Sequence, residues 1–457
     1  MKQTAVDKPS AVKAPANTAS PARLAAFQIL LRVEVDDAFA SVLLASSDNH
    51  LQPNDRALCH ELVMGVLRRR LWLDRLIAHY AKRDPERLDV AVRVALRLGL
   101  YQLRFLSRVP ASAAVNESVK LVRVARLRSA DGLVNAVLRR ATREPEYDPV
   151  IAVKDPLERI AVDTSHPLWL IERWVKAFGI DETAAFARAN NLTPAVAFRV
   201  IQSRAPEAEI IQAIRAGGAV VSPSSLTPAA WRVEASTSII RKLAEDGVIY
   251  VQDEASQLVA QILGAKEGER LLDVCAAPGS KSTHIADLTN DRAFIVSGDI
   301  HAHRLRTLSS IARAQQFRSI HAVNLDGCGA LPFAGGSFDR VLVDAPCTGT
   351  GTLQRNPEIR WRISPADIED LSTRQFQILL AASQMVKPGG RLVYSTCSVE
   401  PEENEQVTQK FLVRAEGFEA LALAVKPALL STVGAARIWP HRDHADGFFI
   451  TAFARHS

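Results

Sequence analysis

Cysteine is scarce in this chain: 457 residues hold five, at Cys59, Cys275, Cys328, Cys347 and Cys397. The number is odd, the spacing is wide and no CxxC pair occurs. That pattern excludes a disulfide framework and a zinc site built from paired thiols. Reduced cytoplasmic thiols and no bound metal are expected instead. Long apolar runs are missing too. No stretch approaches the roughly 18 uninterrupted apolar residues of a membrane span, so no membrane association is expected. The first 20 residues, MKQTAVDKPSAVKAPANTAS, have no apolar core, which argues against a secretory signal. Rich in Ala, Pro, Ser, Thr and Lys, residues 1–20 read as a disordered tail. A triphosphate cradle is also absent, because GSKST after Pro278 fails the GxxxxGK[ST] spacing.

What is present suits a soluble multidomain protein, with 47% hydrophobic and 23% charged residues on a chain too long for one core. The net charge of +6 is unevenly placed. Residues 21–145 carry 21 Lys and Arg against 13 Asp and Glu, and 19 of those cations are Arg. Guanidinium groups suit bidentate phosphate contact, so two readings stand: a solvated helical surface, or one facing RNA or DNA. Leu24, Phe27, Leu31 and Val35 recur at helical spacing and no strand pattern intervenes, so 21–145 is predicted to be an all-α bundle. Over residues 150–250, AVAFRVI, AVVSPSS and AAWRVE read as strands around the helical APEAEIIQAIRAGG, a small α+β module without a motif. Over residues 251–457 five apolar runs alternate with helical segments: RLLDVCAAPG, AFIVSGDI, SIHAVNLD, FDRVLVDAPC and GGRLVYSTCS. This predicts an α/β doubly wound, Rossmann-like parallel sheet, which binds ligands at the carboxyl ends of its strands.

Those ends carry the chemistry. In LLDVCAAPGSK a strand enters a turn of small residues, where backbone amides can approach a ligand closely. Asp299 follows Asp273 by 26 residues, near the spacing of the acid that holds ribose hydroxyls in dinucleotide folds. With Asp326 and Asp344 closing the next two strands, an adenosine-type cofactor is expected, although any one of these acids alone reads as a cap or solvated tip. Two cysteines, Cys347 and Cys397, end the fourth and fifth strands. Carbon 5 of a pyrimidine is a poor nucleophile until a thiolate adds to carbon 6, and such covalent catalysis needs an activated cysteine. Cys59 is expected in a helical core, Cys275 along the turn without reacting, and Cys328 in a loop. PEENE after Cys397 reads as an acidic first helical turn.

Taken together, DVCAAPGSK, DAPCTGTG, RNPEIRW and YSTCSVEPEENE resemble the motifs of the Sun/Fmu family of S-adenosylmethionine-dependent RNA cytosine-5 methyltransferases. The likeness spans most of the chain. Patches such as DRALCHELVMGVLRR and VNESVKLVR make 21–145 similar to the NusB-like RNA-binding domain of the family's bacterial 16S ribosomal RNA members. The resemblance implies that Cys275, Ala276, Ala277, Pro278, Gly279, Ser280 and Lys281 form the loop for S-adenosylmethionine. It places Asp299 on the ribose, Asp326 at the adenine end, and Asp344 between the cofactor's methionine end and the base. It makes Cys397 of the TC pair the nucleophile, while Cys347 of the PC pair assists product release. DNA cytosine methyltransferases attack with a PC cysteine, but no ENV tripeptide is present. Ser280 stands where Gly is usual, Thr348 where Ser is usual, and Ile201 where Asn is common. The implied protein is a cytoplasmic monomer that methylates carbon 5 of a cytosine in 16S ribosomal RNA. A tRNA or other rRNA substrate, or a non-catalytic RNA-binding assembly role, are the alternatives.

Overall fold

The structure, a computed structural model, describes residues 19–47, 51–234 and 238–457. The tail expected over residues 1–20 therefore lies, up to residue 18, outside the described residues. Contacts divide the chain into two units: one runs to Trp174 and takes in Asn356–Glu358, the other comprises Val175–Arg355 and Ile359–Ser457.

The first unit is helical among its described residues. Helices α1 (Pro21–Val35), α2 (Ala40–Ser47), α3 (Pro53–Arg68), α4 (Arg70–Ala81), α5 (Val90–Phe105), α6 (Ala111–Val124) and α7 (Asp131–Arg143) precede α8 (Pro156–Thr164) and α9 (Leu168–Phe178), whose last four residues belong to the second unit. Local signals start them. Pro21 and Pro53 open α1 and α3, and the Asp89 carboxylate accepts from the Ala91 amide to cap α5. Helix α5 is buried continuously from Ala91 to Gln102, so the other helices pack around it. Arg93 and Arg97 of α5, and Arg68 of α3, are therefore inside the bundle and leave both surface readings of the charge to the other arginines. Arg97 donates through Nε and Nη2 to the two oxygens of Asp74 at 2.7 and 2.8 Å, and through Nη1 to Glu34 at 2.8 Å. Burial alone would raise the Glu34 carboxyl, but Arg97, Arg70 and Arg93 together hold it below its ordinary range.

The second unit contains two sheets. After α10 (Ile180–Ala189), strands β1 (Val196–Val200), β2 (Val221–Pro223), β3 (Ala230–Val233) and β4 (Ile249–Val251) form an antiparallel sheet in the order β2-β3-β1-β4. Helices α11 (Glu207–Ala216) and α12 (Ser238–Glu245) accompany it. The strands expected here are present. Helices α8, α9, α10 and α12 had no counterpart in the sequence reading.

The larger sheet contains every strand expected after residue 251. Helix α13 (Glu254–Leu263) leads to β5 (Arg270–Asp273), α14 (Ser280–Leu288), β6 (Phe294–Asp299), α15 (Ala302–Ala314), β7 (Ile320–Asn324) and β8 (Phe338–Asp344). Helix α16 (Pro365–Ser383), β9 (Val386–Thr396), α17 (Glu405–Arg414), β10 (Phe418–Ala420), β11 (Ala436–Ile438), α18 (Pro440–Asp443) and β12 (Phe448–Arg455) follow. The order is β10-β12-β9-β8-β5-β6-β7, with β11 also paired to β12. Strands β5 to β9 are mutually parallel, as predicted, whereas β12 runs antiparallel to β9, β10 and β11, so the sheet is mixed. The chain winds outward from β5 through β6 to β7, then returns to add β8 on the other side. The switch point therefore falls between the carboxyl ends of β5 and β8, where this architecture opens a crevice. Among the described residues no helix is long and apolar enough to cross a membrane.

Candidate active site

A cavity of about 330 Å³ opens at that switch point, and its lining includes Cys275, Ala277, Asp299, Asp326, Asp344, Cys347 and Cys397. The five other sequence-predicted residues, Ala276, Pro278, Gly279, Ser280 and Lys281, do not line it. Ala276 is buried and its amide donates to Gly298 O at 2.7 Å, which ties the turn after β5 to β6. Pro278 is exposed. Gly279, at φ 112°, occupies the left-handed region that favours glycine, and an added Cβ would lie 2.8 Å from Leu308 Cγ. Ser280 opens α14. Lys281, in its first turn, is buried and donates to Asp344 Oδ2 at 2.6 Å.

Strand ends fix the acids. Asp299 closes β6, and its Oδ1 accepts from the His301 amide at 2.8 Å. Its Oδ2 meets the Arg304 guanidinium only at 3.6 Å, while Arg304 also donates to Ala277 O at 2.7 Å. Asp326 lies two residues beyond β7 rather than closing it, and accepts from the Cys328 amide at 2.9 Å. Asp344 closes β8 between two donors, Lys281 and the Ser395 hydroxyl at 2.7 Å. Asp273, at the end of β5, accepts from Ser282 at 2.7 Å through Oδ2, but its buried Oδ1 has no partner among the described residues. Burial, with the nearby Asp344 and Asp299 charges, pushes its carboxyl up to about 7 against the Ser282 hydrogen bond. Burial would lower the Lys281 ammonium, yet the Asp344 charge and hydrogen bond carry it above its ordinary value.

The two cysteines meet. Because β8 and β9 are parallel neighbours, their exits converge and the Sγ atoms of Cys347 and Cys397 lie 3.1 Å apart, both as free cysteines. The hydrogen bond to Cys397, followed by burial and the Cys397 and Glu403 charges, pushes the Cys347 thiol well up. Burial and the Asp273 charge do the same to Cys275, which makes it a poor nucleophile. Cys59 is buried in the helical core, as expected. The glycine-rich turn after Cys347 also has a packing reason. Gly351 N donates to Cys397 O at 2.9 Å, and a Cβ at Gly351 would lie 2.1 Å from Gly447 O.

Three families match. Residues 260–454 fit the description 16S rRNA methyltransferase RsmB/F, residues 20–143 the NusB family, and residues 166–240 the RsmF/B-like ferredoxin-like domain. The probable ribosomal RNA small subunit methyltransferase B of Bacillus subtilis is 34% identical, covering 94% of this chain and 98% of that protein. The chain belongs to the 16S rRNA methyltransferase RsmB/F family. Within that family, the ribosomal RNA small subunit methyltransferase B of Pseudomonas putida is 34% identical over 93% of this chain and 97% of its own length. The crystal structure of PH0851 superposes at a TM-score of 0.82 with 27% identity, covering 95% of this chain and 99% of that one. This RsmB/F-family chain is accordingly an S-adenosylmethionine-dependent rRNA methyltransferase with a NusB-like helical domain, a ferredoxin-like module and a Rossmann-like domain.

Sequence reading missed several contributors. His301, Arg304 and Arg374 line the cavity, while Ser395, Gln375 and Glu403 support its walls. Arg304 had a usable signal, since it lies in the first turn after the β6 acid. The PEENE segment is corrected: residues 401–404 form turns and α17 begins only at Glu405, because Glu403 and Asn404 turn inward to bond the cysteine loops.

Proposed function

We propose that this protein methylates carbon 5 of a cytosine in 16S ribosomal RNA, with Cys397 as nucleophile and Cys347 as the group that helps the product leave. The observation that carries the reading is the 3.1 Å approach of two free thiols beside Asp344 at the switch-point cavity. The residues present fit S-adenosylmethionine. Among the described residues, Asp299 keeps one carboxylate oxygen free of any short bond for a ribose hydroxyl, and Asp273 Oδ1, without a partner, lies at the turn Cys275–Lys281 assigned to the cofactor. Asp326 stands at the adenine end, and Asp344 between the methionine end and the base. When bound, S-adenosylmethionine supplies an electrophilic methyl group.

The chain's own residues do the rest. Cys397 thiolate adds to carbon 6, and the displaced π electrons make carbon 5 nucleophilic toward that methyl. Asp344, held by Lys281 and Ser395, faces the base's N3/N4 edge and favours the addition. After methylation the carbon 5 proton leaves, the carbon 5–carbon 6 double bond re-forms, and the sulfur–carbon electron pair returns to Cys397. In this exit Cys347 gives its thiol proton to the departing Cys397 sulfur, 3.1 Å away, and takes up the carbon 5 proton in exchange. The helical residues 21–145 supply affinity for the RNA.

The test traps the adduct on 16S rRNA. Cys397→Ala is expected to abolish methylation and form no adduct, since carbon 5 is never activated. Cys347→Ala is expected to stall as an RNA-linked protein, visible as a slow, ribonuclease-sensitive band on a denaturing gel. The opposite pattern would exchange the two roles. Bisulfite sequencing of a deletion strain then reports whether the lost mark lies in 16S rRNA or in another RNA.

A further inference from the structure

Glu403 does not line the cavity and is completely buried, yet its carboxylate joins the loops that carry both cysteines. Oε1 accepts from the Thr348 amide at 2.9 Å and from Gln375 Nε2 at 2.8 Å. Oε2 accepts from the Thr348 hydroxyl at 2.5 Å and from the Ser398 hydroxyl. Thr348 follows Cys347 in the chain, and Ser398 follows Cys397. Gln375 also donates to Pro346 O at 2.8 Å, so the Cys347 peptide is held on both sides. Tyr394, on the strand leading to Cys397, donates its hydroxyl to Glu403 O at 2.6 Å.

A carboxylate has about four acceptor sites, and here four donors fill them. Burying such a group is costly unless it is bonded in this way, and burial still raises the Glu403 carboxyl above its ordinary range. An apolar side chain could fill the same space without that cost, but it could not hold two loops from different strands in register. We infer that Glu403 is a positioning residue that yokes the Cys347 and Cys397 loops and so sets the separation of their thiols. The inference rests on reading those cysteines as a working pair.

The test measures thiol separation without using methylation. Diamide converts two neighbouring thiols into a disulfide while its N=N bond takes up the two hydrogens as a hydrazine. On the full-length protein, closure of the 347–397 pair is followed by mass spectrometry after blocking the remaining thiols. Glu403→Ala is expected to slow closure about tenfold or more, because ångström-scale misplacement of reacting groups carries penalties of that order. Glu403→Gln is expected to recover most of the rate, since its amide oxygen keeps the Thr348 amide and the two hydroxyls can turn to accept from its nitrogen. Methylation kcat should follow closure across these variants, while KM for S-adenosylmethionine stays unchanged.

If Glu403→Ala does not fold, Ser398→Ala and Thr348→Val carry the test, each removing one arm of the yoke. Wild-type closure in a folded Glu403→Ala, or in both single-arm variants, overturns the inference. Slowed closure with unimpaired methylation would leave the yoke standing and instead overturn the catalytic reading of the pair.

Discussion

Arginine and aspartate are used in opposite ways in the two units. In the helical unit every guanidinium nitrogen of Arg97 is bonded to Asp74 or Glu34, and the group is buried. At the strand ends of the sheet, Asp273 retains a buried oxygen with no partner among the described residues and Asp299 faces Arg304 only at 3.6 Å. A polar cluster satisfied within the protein specifies the fold and has nothing left to offer a ligand. One left incomplete costs stability, and a ligand that completes it recovers that cost.

The contrast can be tested from both sides. The largest effect is expected from Arg97→Leu, which strands the Asp74 carboxylate and leaves Glu34 to Arg70 and Arg93 alone, and should cost about 3–5 kcal/mol of stability, read from urea unfolding, with S-adenosylmethionine affinity intact. Next is Asp273→Asn. The folded carboxyl sits near 7 against 3.8 unfolded, so whatever stability it contributes is present below its unfolded value and lost as pH rises through 7. The variant should match wild type near pH 4 and exceed it at pH 8 by up to about 4 kcal/mol. A constant difference across that range would place the raised carboxyl elsewhere.

Asp299→Ala should weaken S-adenosylmethionine binding by about 1.5–3 kcal/mol, measured by calorimetry. Unchanged affinity would remove it from the ribose role. The smallest effect is expected on the exposed arginines. Arg128→Ala with Arg143→Ala, both at exposed positions, should leave stability within about 0.5 kcal/mol. The slope of RNA affinity against salt should fall by about 2, through lost counterion release. An unaltered slope would move the RNA-facing surface to other residues.

The same contrast marks what could be read in the sequence. Strands β5 to β9 were legible because each is a short apolar run that ends in polar or small residues, and that pattern also placed Asp299, Asp344, Cys347 and Cys397 at one edge. The antiparallel β12 was not, because its apolar FFITAFAR resembles any buried strand and carries no direction. Counting arginines failed for Arg93 and Arg97, since charge tallies ignore whether a helix such as α5 is buried on all sides. Glu403 was invisible for a related reason. Its partners Thr348 and Gln375 lie 55 and 28 residues away, beyond any local motif.

The position of β12 also bears on the order of events during synthesis. Strand β9 pairs with β8 on one side and with β12 on the other, yet β12 is made last of the three. Until residue 455 has left the ribosome, the strand that leads to Cys397 presents an open flank, the kind of edge on which nascent chains mispair. The thiol pair is therefore assembled late, after the helical unit and the outer strands β6 and β7 have been translated. Slow translation of residues 397–447 would lengthen the interval in which that flank is exposed, and a helper that shields strand edges would act in that window.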